Sequence, residues 1–357
     1  MHFKSKYGSF PLPLFFPDAT RGTIKTLDSS DIVSSNTPGI LVNTYHLLAK
    51  PGKKLISDFG GVAPFINWKG PIISDSGGFQ VMSIAKRTNC KVNDKGVYFK
   101  AKEGRQTLLT PEKSIDFQFA LKTDLLVVLD DFTPPNASRS EAKKTVDRTI
   151  LWAKRSKIEF DRLIRYHNIK KGNKPYLIGV VQGGKYQDLR KKCGQELVKI
   201  GFDGVGFGGW PIDDKNEFDY QTASTIAKVA PKNYLLYGLG IGKPHEIVKL
   251  VKMGYSLFDC VLPTRDARHG RLYIYNADST HKINLNKKNF YSYLIPHRQV
   301  YKDDPRPVST ACDCLLCKNY TRAYLHHLFK ESKLSAMRLA TIHNLRFYSI
   351  LMEKLRK

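Results

Sequence analysis

The stretch Tyr176-Leu177-Ile178-Gly179-Val180-Val181-Gln182-Gly183-Gly184, followed by Lys185–Ile200 and then Gly204-Val205-Gly206-Phe207, decides the fold. The first run is apolar at nearly every position, which suits a strand buried on both faces of a parallel sheet. It breaks at a Gly pair, and Lys185–Ile200 then carries an amphipathic helical pattern before apolar residues resume. This is a strand–helix–strand unit. The same pattern extends upstream through Ile40-Leu41-Val42-Asn43, Pro71-Ile72-Ile73-Ser74 and Leu125-Leu126-Val127-Val128-Leu129. Downstream it continues through Tyr234-Leu235-Leu236-Tyr237 and Leu257-Phe258-Asp259-Cys260-Val261-Leu262. Helical segments lie between, among them Thr110–Leu121, Arg139–Tyr166 and Pro244–Met253. Pro111 and Pro244 stand where a first-turn proline is tolerated, and Thr110 is suited to cap the helix it precedes.

Alternation of this kind over roughly 250 residues predicts an α/β fold, a (β/α)8 TIM barrel, with a doubly wound sheet as the second choice. Seven strands are evident and an eighth is not. Gly96-Val97-Tyr98-Phe99-Lys100 reads as part of an inserted hairpin around 90–110. The barrel is assigned to 1–275. Residues 276–357, basic, aromatic and Cys-containing, with a helical pattern from Arg322 to Lys357, are assigned to a helical C-terminal subdomain packed on the barrel.

Composition narrows the class of protein. The 357 residues are 41% hydrophobic and 25% charged, which excludes a disordered chain, a coiled coil or a disulfide-stapled miniprotein. No apolar stretch is long enough to span a bilayer. Met1-His2-Phe3-Lys4 leads into Pro-rich sequence without the apolar core of a signal peptide. Half of the 6 Cys crowd into 312–317, which argues against a disulfide framework. The expectation is a cytoplasmic protein without a membrane. Lys and Arg number 58 against 32 Asp and Glu, a net charge of +26. Coding bias accounts for such a surplus as readily as function does, but it makes a nucleic acid the first partner to test.

Chemistry in a barrel belongs at the C-terminal ends of its strands. Those ends carry Asp75, Asp130-Asp131, Gln182-Gly183-Gly184, Gly208-Gly209, Tyr237-Gly238 and Asp259. Any one alone fits a turn or a cap; their coincidence at one rim is harder to dismiss. Asp259 stands between Phe258 and Cys260 in an apolar strand, where a carboxylate is costly unless paired or working. Two facing carboxylates can divide glycosidic work, one attacking the anomeric carbon and the other moving protons. Gln182 and Asp130 have the donors and acceptors to read the edge of a heterocycle such as guanine. Phe79 and Tyr237 suit a sandwich around a flat ring, or equally the core.

Cys312-x-Cys314-x2-Cys317, with His343 after 25 intervening residues, supplies three thiolates and an imidazole. That is a closed tetrahedral set for a structural Zn2+, with His326 and His327 competing for the fourth place. Cys90, Cys193 and Cys260 read as packed thiols.

Several stretches carry a resemblance. They are Asn43-Thr44-Tyr45-His46-Leu47, Ser74-Asp75-Ser76-Gly77-Gly78-Phe79-Gln80-Val81, Leu109-Thr110-Pro111-Glu112, Val181-Gln182-Gly183-Gly184 and Phe258-Asp259-Cys260-Val261-Leu262-Pro263-Thr264-Arg265. Ala267-Arg268, the Cys cluster, Tyr324-Leu325-His326-His327-Leu328 and Thr341-Ile342-His343-Asn344-Leu345 complete the set. The chain resembles the tRNA-guanine transglycosylase (queuine tRNA-ribosyltransferase) family, in its bacterial type with a divergent base-recognition loop. The resemblance implies an enzyme that exchanges the wobble guanine of tRNA for a 7-deazaguanine, either pre-queuosine base or queuine. It implies Asp259 as nucleophile on the ribose and Asp75 as general acid/base. It further implies Phe79 and Tyr237 stacking on the base, with Asp130, Gln182 and the Gly209 amide bonding its edge. The carbonyl of Trp210 would accept from an aminomethyl group, Arg265 and Arg268 would hold the anticodon loop, and Cys312, Cys314, Cys317 and His343 would bind one Zn2+. A homodimer is also implied.

The departures from the family pattern fall near the base. Phe132 stands where a Cys is usual, Trp210-Pro211-Ile212 replaces Leu-Ala-Val, Tyr237 stands where Met is usual, and Asp266 and His269 replace residues that are usually Asn. They leave two alternatives: insertion of a 7-deazaguanine into DNA, and a non-catalytic accessory subunit that binds tRNA. Asp75 and Asp259 argue against the second.

Overall fold

The computed structural model describes residues 1–77, 91–100, 106–213 and 217–356. Eight strands form one parallel sheet: β1 (Leu14–Pro17), β2 (Ile40–Asn43), β3 (Ile72–Asp75), β4 (Leu125–Val127), β5 (Tyr176–Val181), β6 (Gly204–Phe207), β7 (Leu235–Gly238) and β8 (Leu257–Cys260). Hydrogen bonding runs in the order β1-β8-β7-β6-β5-β4-β3-β2. The two ends of that order meet at a parallel bridge between Asp18 and Leu41, where the Ala19 N–H donates to the Leu41 carbonyl at 2.7 Å. The sheet therefore closes on itself as a (β/α)8 barrel.

The strand missing from the sequence reading is β1. All four of its residues are buried, but it is short, ends on Pro17 and follows Pro11 and Pro13. Its proline surroundings hide it, because proline demotes a run as a strand candidate. Side chains alternate across the wall with the period of two that a strand imposes. Phe16, Ile73, Val127, Val180 and Leu257 fill the interior, while Phe15, Ile72, Leu126, Val181 and Phe258 face the helices. On β6 the inward positions are Gly204 and Gly206, followed at the rim by Gly208. A methyl group on Gly206 would lie 2.1 Å from Leu239 Cδ1, and one on Gly208 would lie 2.5 Å from Val180 Cγ1. Leaving side chains off this strand keeps space open above the interior layer.

Helices follow the strands as their caps predict. Thr110 accepts from the Lys113 N–H at 3.2 Å and Pro111 opens the helix Pro111–Leu121. Ser138 and Glu141 form a reciprocal capping box on Arg139–Tyr166. Between β3 and β4, Lys91–Asn93 and Gly96–Lys100 pair antiparallel, and Gln106–Leu109 adds a third strand to the expected hairpin.

The helix Lys333–Leu355 packs on the outside of β1 and against the helix Leu262–Arg268 that leaves β8. Tyr348 lies 4.6 Å from Phe15, ring to ring, and its hydroxyl donates to the Gly242 carbonyl. Burying a ring of this kind contributes about 1.5–3 kcal/mol. Asn344 donates to the Pro263 and Arg271 carbonyls at 2.9 and 3.0 Å and accepts from the Tyr273 N–H at 3.0 Å. The C-terminal helix thus braces the segment that carries Asp259.

Candidate active site and metal centre

The C-terminal ends of the strands enclose a cavity of about 460 Å³. Asp18, Asp75, Asp130 and Asp259 all line it, together with Gln182, Gly208, Gly209, Trp210, Leu239 and Gly240. Four carboxyl groups sharing one enclosed space repel and desolvate one another, so each must be held by donors or take a proton.

Asp75 ends β3. Its carboxylate accepts from Asn43 Nδ2 at 2.7 Å, the Thr44 N–H at 3.2 Å and the Gly77 N–H at 3.1 Å. Asn43 and Thr44 sit where β2 turns into the helix Thr44–Ala49, so the strand–helix junction supplies the donors. Gly77 has a φ of +75°, and a side chain there would meet Tyr45 at 2.7 Å. Burial nevertheless outweighs these donors. It pushes the Asp75 pKa up to about 7, with Asp18 and Asp259 adding to the rise.

Asp259 projects from β8 onto the same space. The Gly240 N–H donates to it at 3.0 Å. Burial raises its pKa to about 6, Gly240 and the Tyr237 hydroxyl oppose the rise, and Asp18 adds to it. Both carboxyl groups are thus held well above the usual carboxylate range, Asp75 the higher of the two, an ordering that suits a general acid beside a nucleophile.

The part of the lining beyond β4 and β5 is preorganised. Gln182 is fully buried, its Nε2 donates to Asp130 at 2.6 Å, and its Oε1 accepts from the Thr133 N–H at 3.1 Å. This fixes which way its amide points. Asp130 is raised to about 6 by burial, against the pull of Gln182. Asp131, by contrast, turns away and pairs with Arg148. Gly209, at φ +84°, turns the chain under the mouth, where Trp210 is 51% exposed. Phe132 also lines the cavity.

Not every residue singled out in the sequence falls on the wall. Tyr237, expected to stack on the base, is fully buried in the barrel interior and is not among the residues that line the cavity. The strand period turns it inward one layer below the rim, where its hydroxyl lies beside Asp259. Leu239, two residues on, lines the cavity instead. Phe79 lies outside the described residues. Arg265 and Arg268 stand on the helix Leu262–Arg268, next to the rim but not on the cavity wall. Asp18 and the Asn43–Thr44 junction were not singled out. Asp18 follows the strand hidden among prolines, and Asn43–Thr44 stood in a stretch that carried the family resemblance without a role of its own.

On the other side of the β8 exit helix, the ligand atoms of Cys312, Cys314, Cys317 and His343 lie within 4.8 Å of one another. His343 Nδ1 is 3.5 Å from Cys314 Sγ and 3.3 Å from Cys317 Sγ. Its Nε2 bonds the Tyr273 carbonyl at 2.8 Å, which leaves Nδ1 as the free ligand atom. Three sulfurs and an oriented imidazole fit a tetrahedral metal ion. His326 bonds the Pro296 carbonyl through Nδ1 at 2.7 Å, and neither it nor His327 joins the group.

Comparison with known proteins agrees with this geometry. The family model described as queuine tRNA-ribosyltransferase matches residues 2–357. The chain belongs to the queuine tRNA-ribosyltransferase family. It is 40% identical over 351 residues to the queuine tRNA-ribosyltransferase of Blochmanniella pennsylvanica, covering 98% of this chain and 89% of that one. It is 38% identical to the protein of the same name from Haemophilus influenzae strain PittEE, covering 99% of this chain and 87% of the other. Membership makes the protein a glycosyltransferase of the pentosyltransferase type. Among the described residues, no helix is long and apolar enough to cross a membrane.

Proposed function

We propose that this chain exchanges the wobble guanine of tRNA for a 7-deazaguanine, pre-queuosine base or queuine, in the cytoplasm. The observation that carries the reading is that Asp75 and Asp259, both with raised pKa values, line one cavity together with the amide-and-acid edge reader Gln182 and Asp130. The target base must leave its stack to enter such a cavity. Asp130, Gln182 and the Gly209 N–H bond the edge of the purine, and Phe79 stacks on its face. The Trp210 carbonyl accepts from an aminomethyl group. Arg265 and Arg268 hold the anticodon loop at the rim.

In the first half-reaction, a carboxylate oxygen of Asp259 attacks C1′ of the ribose. The C1′–N9 bond breaks, its electron pair passes to the departing guanine, and Asp75 supplies the proton that neutralises it. In the second, the incoming base gives its N9 proton to the Asp75 carboxylate. N9 then attacks C1′ and the ester bond breaks, restoring Asp259. A Zn2+ held by Cys312, Cys314, Cys317 and His343 supplies a structural cross-link and stands apart from these steps. The active assembly is a homodimer. The stacked Tyr320 and Tyr324, with His327 beside them, form an exposed aromatic stripe that supports this.

The test is incorporation of labelled guanine into a tRNA bearing a wobble guanine, followed by capture of the RNA–protein adduct on a denaturing gel. Wild type exchanges label and forms the adduct, and Asp259→Asn forms none. An adduct that survives this substitution reassigns the nucleophile. Label entering DNA but not tRNA would replace the polymer.

A further inference from the structure

Arg190 is among the largest fully buried side chains, with 1% exposure, and it does not line the cavity. It stands in the first turns of the helix Gln187–Ile200, where a cation also opposes the helix dipole. Its hydrogen-bond partners are all carbonyl oxygens. Nε donates to Gly184 O at 2.9 Å, and Nη1 donates to Val181 O at 2.6 Å and to Gly208 O at 2.7 Å. The Phe207 ring lies 5.3 Å from its guanidinium carbon. Burial lowers its pKa only to about 10, so the group stays charged at neutral pH. A buried cation held by carbonyls rather than a carboxylate is costly to keep and has a reason to be there.

The surrounding glycines are shaped to it. A methyl group on Gly183 would come within 2.8 Å of the Arg190 backbone nitrogen and 3.2 Å of its Cγ and Cδ, and one on Gly209 would come within 3.2 Å of Nη2. The Gly-Gly pairs after β5 and β6 therefore make room for Arg190 as well as for a ligand. Its three carbonyls belong to the ends of those same two strands. The Gly208 carbonyl and the Gly209 N–H are the two ends of one planar trans peptide, pointing in opposite directions. Arg190 holds the carbonyl end from behind, so the N–H end is turned away from it, toward the space that Gly208 and Gly209 line.

We propose that Arg190 is a positioning residue for purine recognition: it fixes and polarises the Gly208–Gly209 peptide so that the Gly209 N–H meets the O6 atom of the base. The inference rests on the base-exchange reading given above. A hydrogen bond to one end of a peptide strengthens the donor at the other. As guanine departs with the C1′–N9 electron pair, negative charge spreads over the ring to O6, where a preorganised donor counts most. The guanidinium thereby acts on the base through a peptide, without touching it.

The experiment measures inhibition of labelled-guanine exchange by guanine and by 2-aminopurine, which lacks O6, in wild type, Arg190→Lys and Arg190→Met. A ratio of inhibition constants within one variant does not depend on how much of that variant is folded. Wild type is expected to favour guanine strongly. In both variants guanine should weaken about tenfold or more, the scale of losing part of one such donor, while 2-aminopurine is unchanged. Arg190→Lys keeps the charge and loses the planar fork, so the same loss there assigns the effect to the fork's geometry. A guanine to 2-aminopurine ratio that stays at the wild-type value in the variants overturns the inference. A wild type that does not discriminate between the two bases removes the edge reading itself, and this inference with it.

Discussion

The barrel rim and the Cys–His cluster solve the same problem in opposite ways. Both gather four ionisable side chains out of water, a placement that costs several kcal/mol per charge unless it is compensated. In the cluster the ligand atoms converge within 4.8 Å on a point they fill together, and the imidazole is locked from behind by the Tyr273 carbonyl. At the rim, Asp18, Asp75, Asp130 and Asp259 are spread around a cavity of about 460 Å³, and burial holds three of them well above the usual carboxylate range. The first arrangement is closed and serves stability. The second is only partly compensated by its donors and faces open space. Polar burial on its own therefore does not mark an active site; polar burial around empty space does.

The sharpest way to break this contrast is to mutate one member of each group and ask which property fails. Asp259→Asn should cost at least about 1,000-fold in base exchange, as loss of a nucleophile does. The fold should become no weaker. A carboxyl whose pKa is raised to about 6 favours the folded state below its unfolded value and loses that advantage as pH rises through 6. Above that, thermal unfolding of the Asn variant should occur at or above the wild-type temperature. Cys314→Ser should do the reverse: metal content falls, and unfolding free energy drops by more than about 4 kcal/mol, the range associated with losing a metal site. A Cys314→Ser protein that keeps its metal and its melting temperature would end the division of labour.

The pH profile sharpens the rim side. Asp259 must be ionised to attack, so exchange should rise as pH passes about 6. Asp75 must hold a proton to give, so exchange should fall as pH passes about 7. The result is a narrow bell whose two limbs belong to the coupled pair. Residual activity in Asp75→Asn should lack the descending limb.

Smaller effects come from the walls. Gly208→Ala puts a methyl group 2.7 Å from Gln182 Nε2 and should raise the KM for the base at least tenfold with a modest change in kcat. Trp210→Ala, half-exposed at the mouth, should alter stability by less than about 0.5 kcal/mol and shift only the KM for bases that differ at the 7-position. Steady-state kinetics with each base checks both.

Much of the fold was readable because strands buried on both faces are apolar from end to end. β5 and its following helix announce themselves, and seven strands share that texture. β1 does not, because four residues ending in proline look like a loop until a closed sheet supplies both neighbours. At the site, acids interrupting apolar runs were legible, as with Asp259. What a side chain does one layer below the rim was not. Tyr237 and Leu239 are separated by a single residue, yet one is sealed in the interior and the other faces the cavity. Only the register where the strand ends decides between them. Arg190 was invisible for a related reason: a charged residue in an amphipathic helix reads as solvated, and nothing local shows that two neighbouring strand ends have left it a hole.

The seam between β1 and the last helix has a bearing on how the protein is made. Arg356 donates to the Pro13 carbonyl at 3.2 and 2.9 Å, Arg338 pairs with Asp31, and Tyr348 packs on Phe15. Contacts this distant along the chain form late, since the entropy of closing such a loop comes due before they repay it. During translation the first barrel strand emerges more than 300 residues before the helix that covers it. A growing chain thus carries an uncovered apolar strand for nearly the whole of its synthesis, and is a natural client for chaperones until its final turns leave the ribosome.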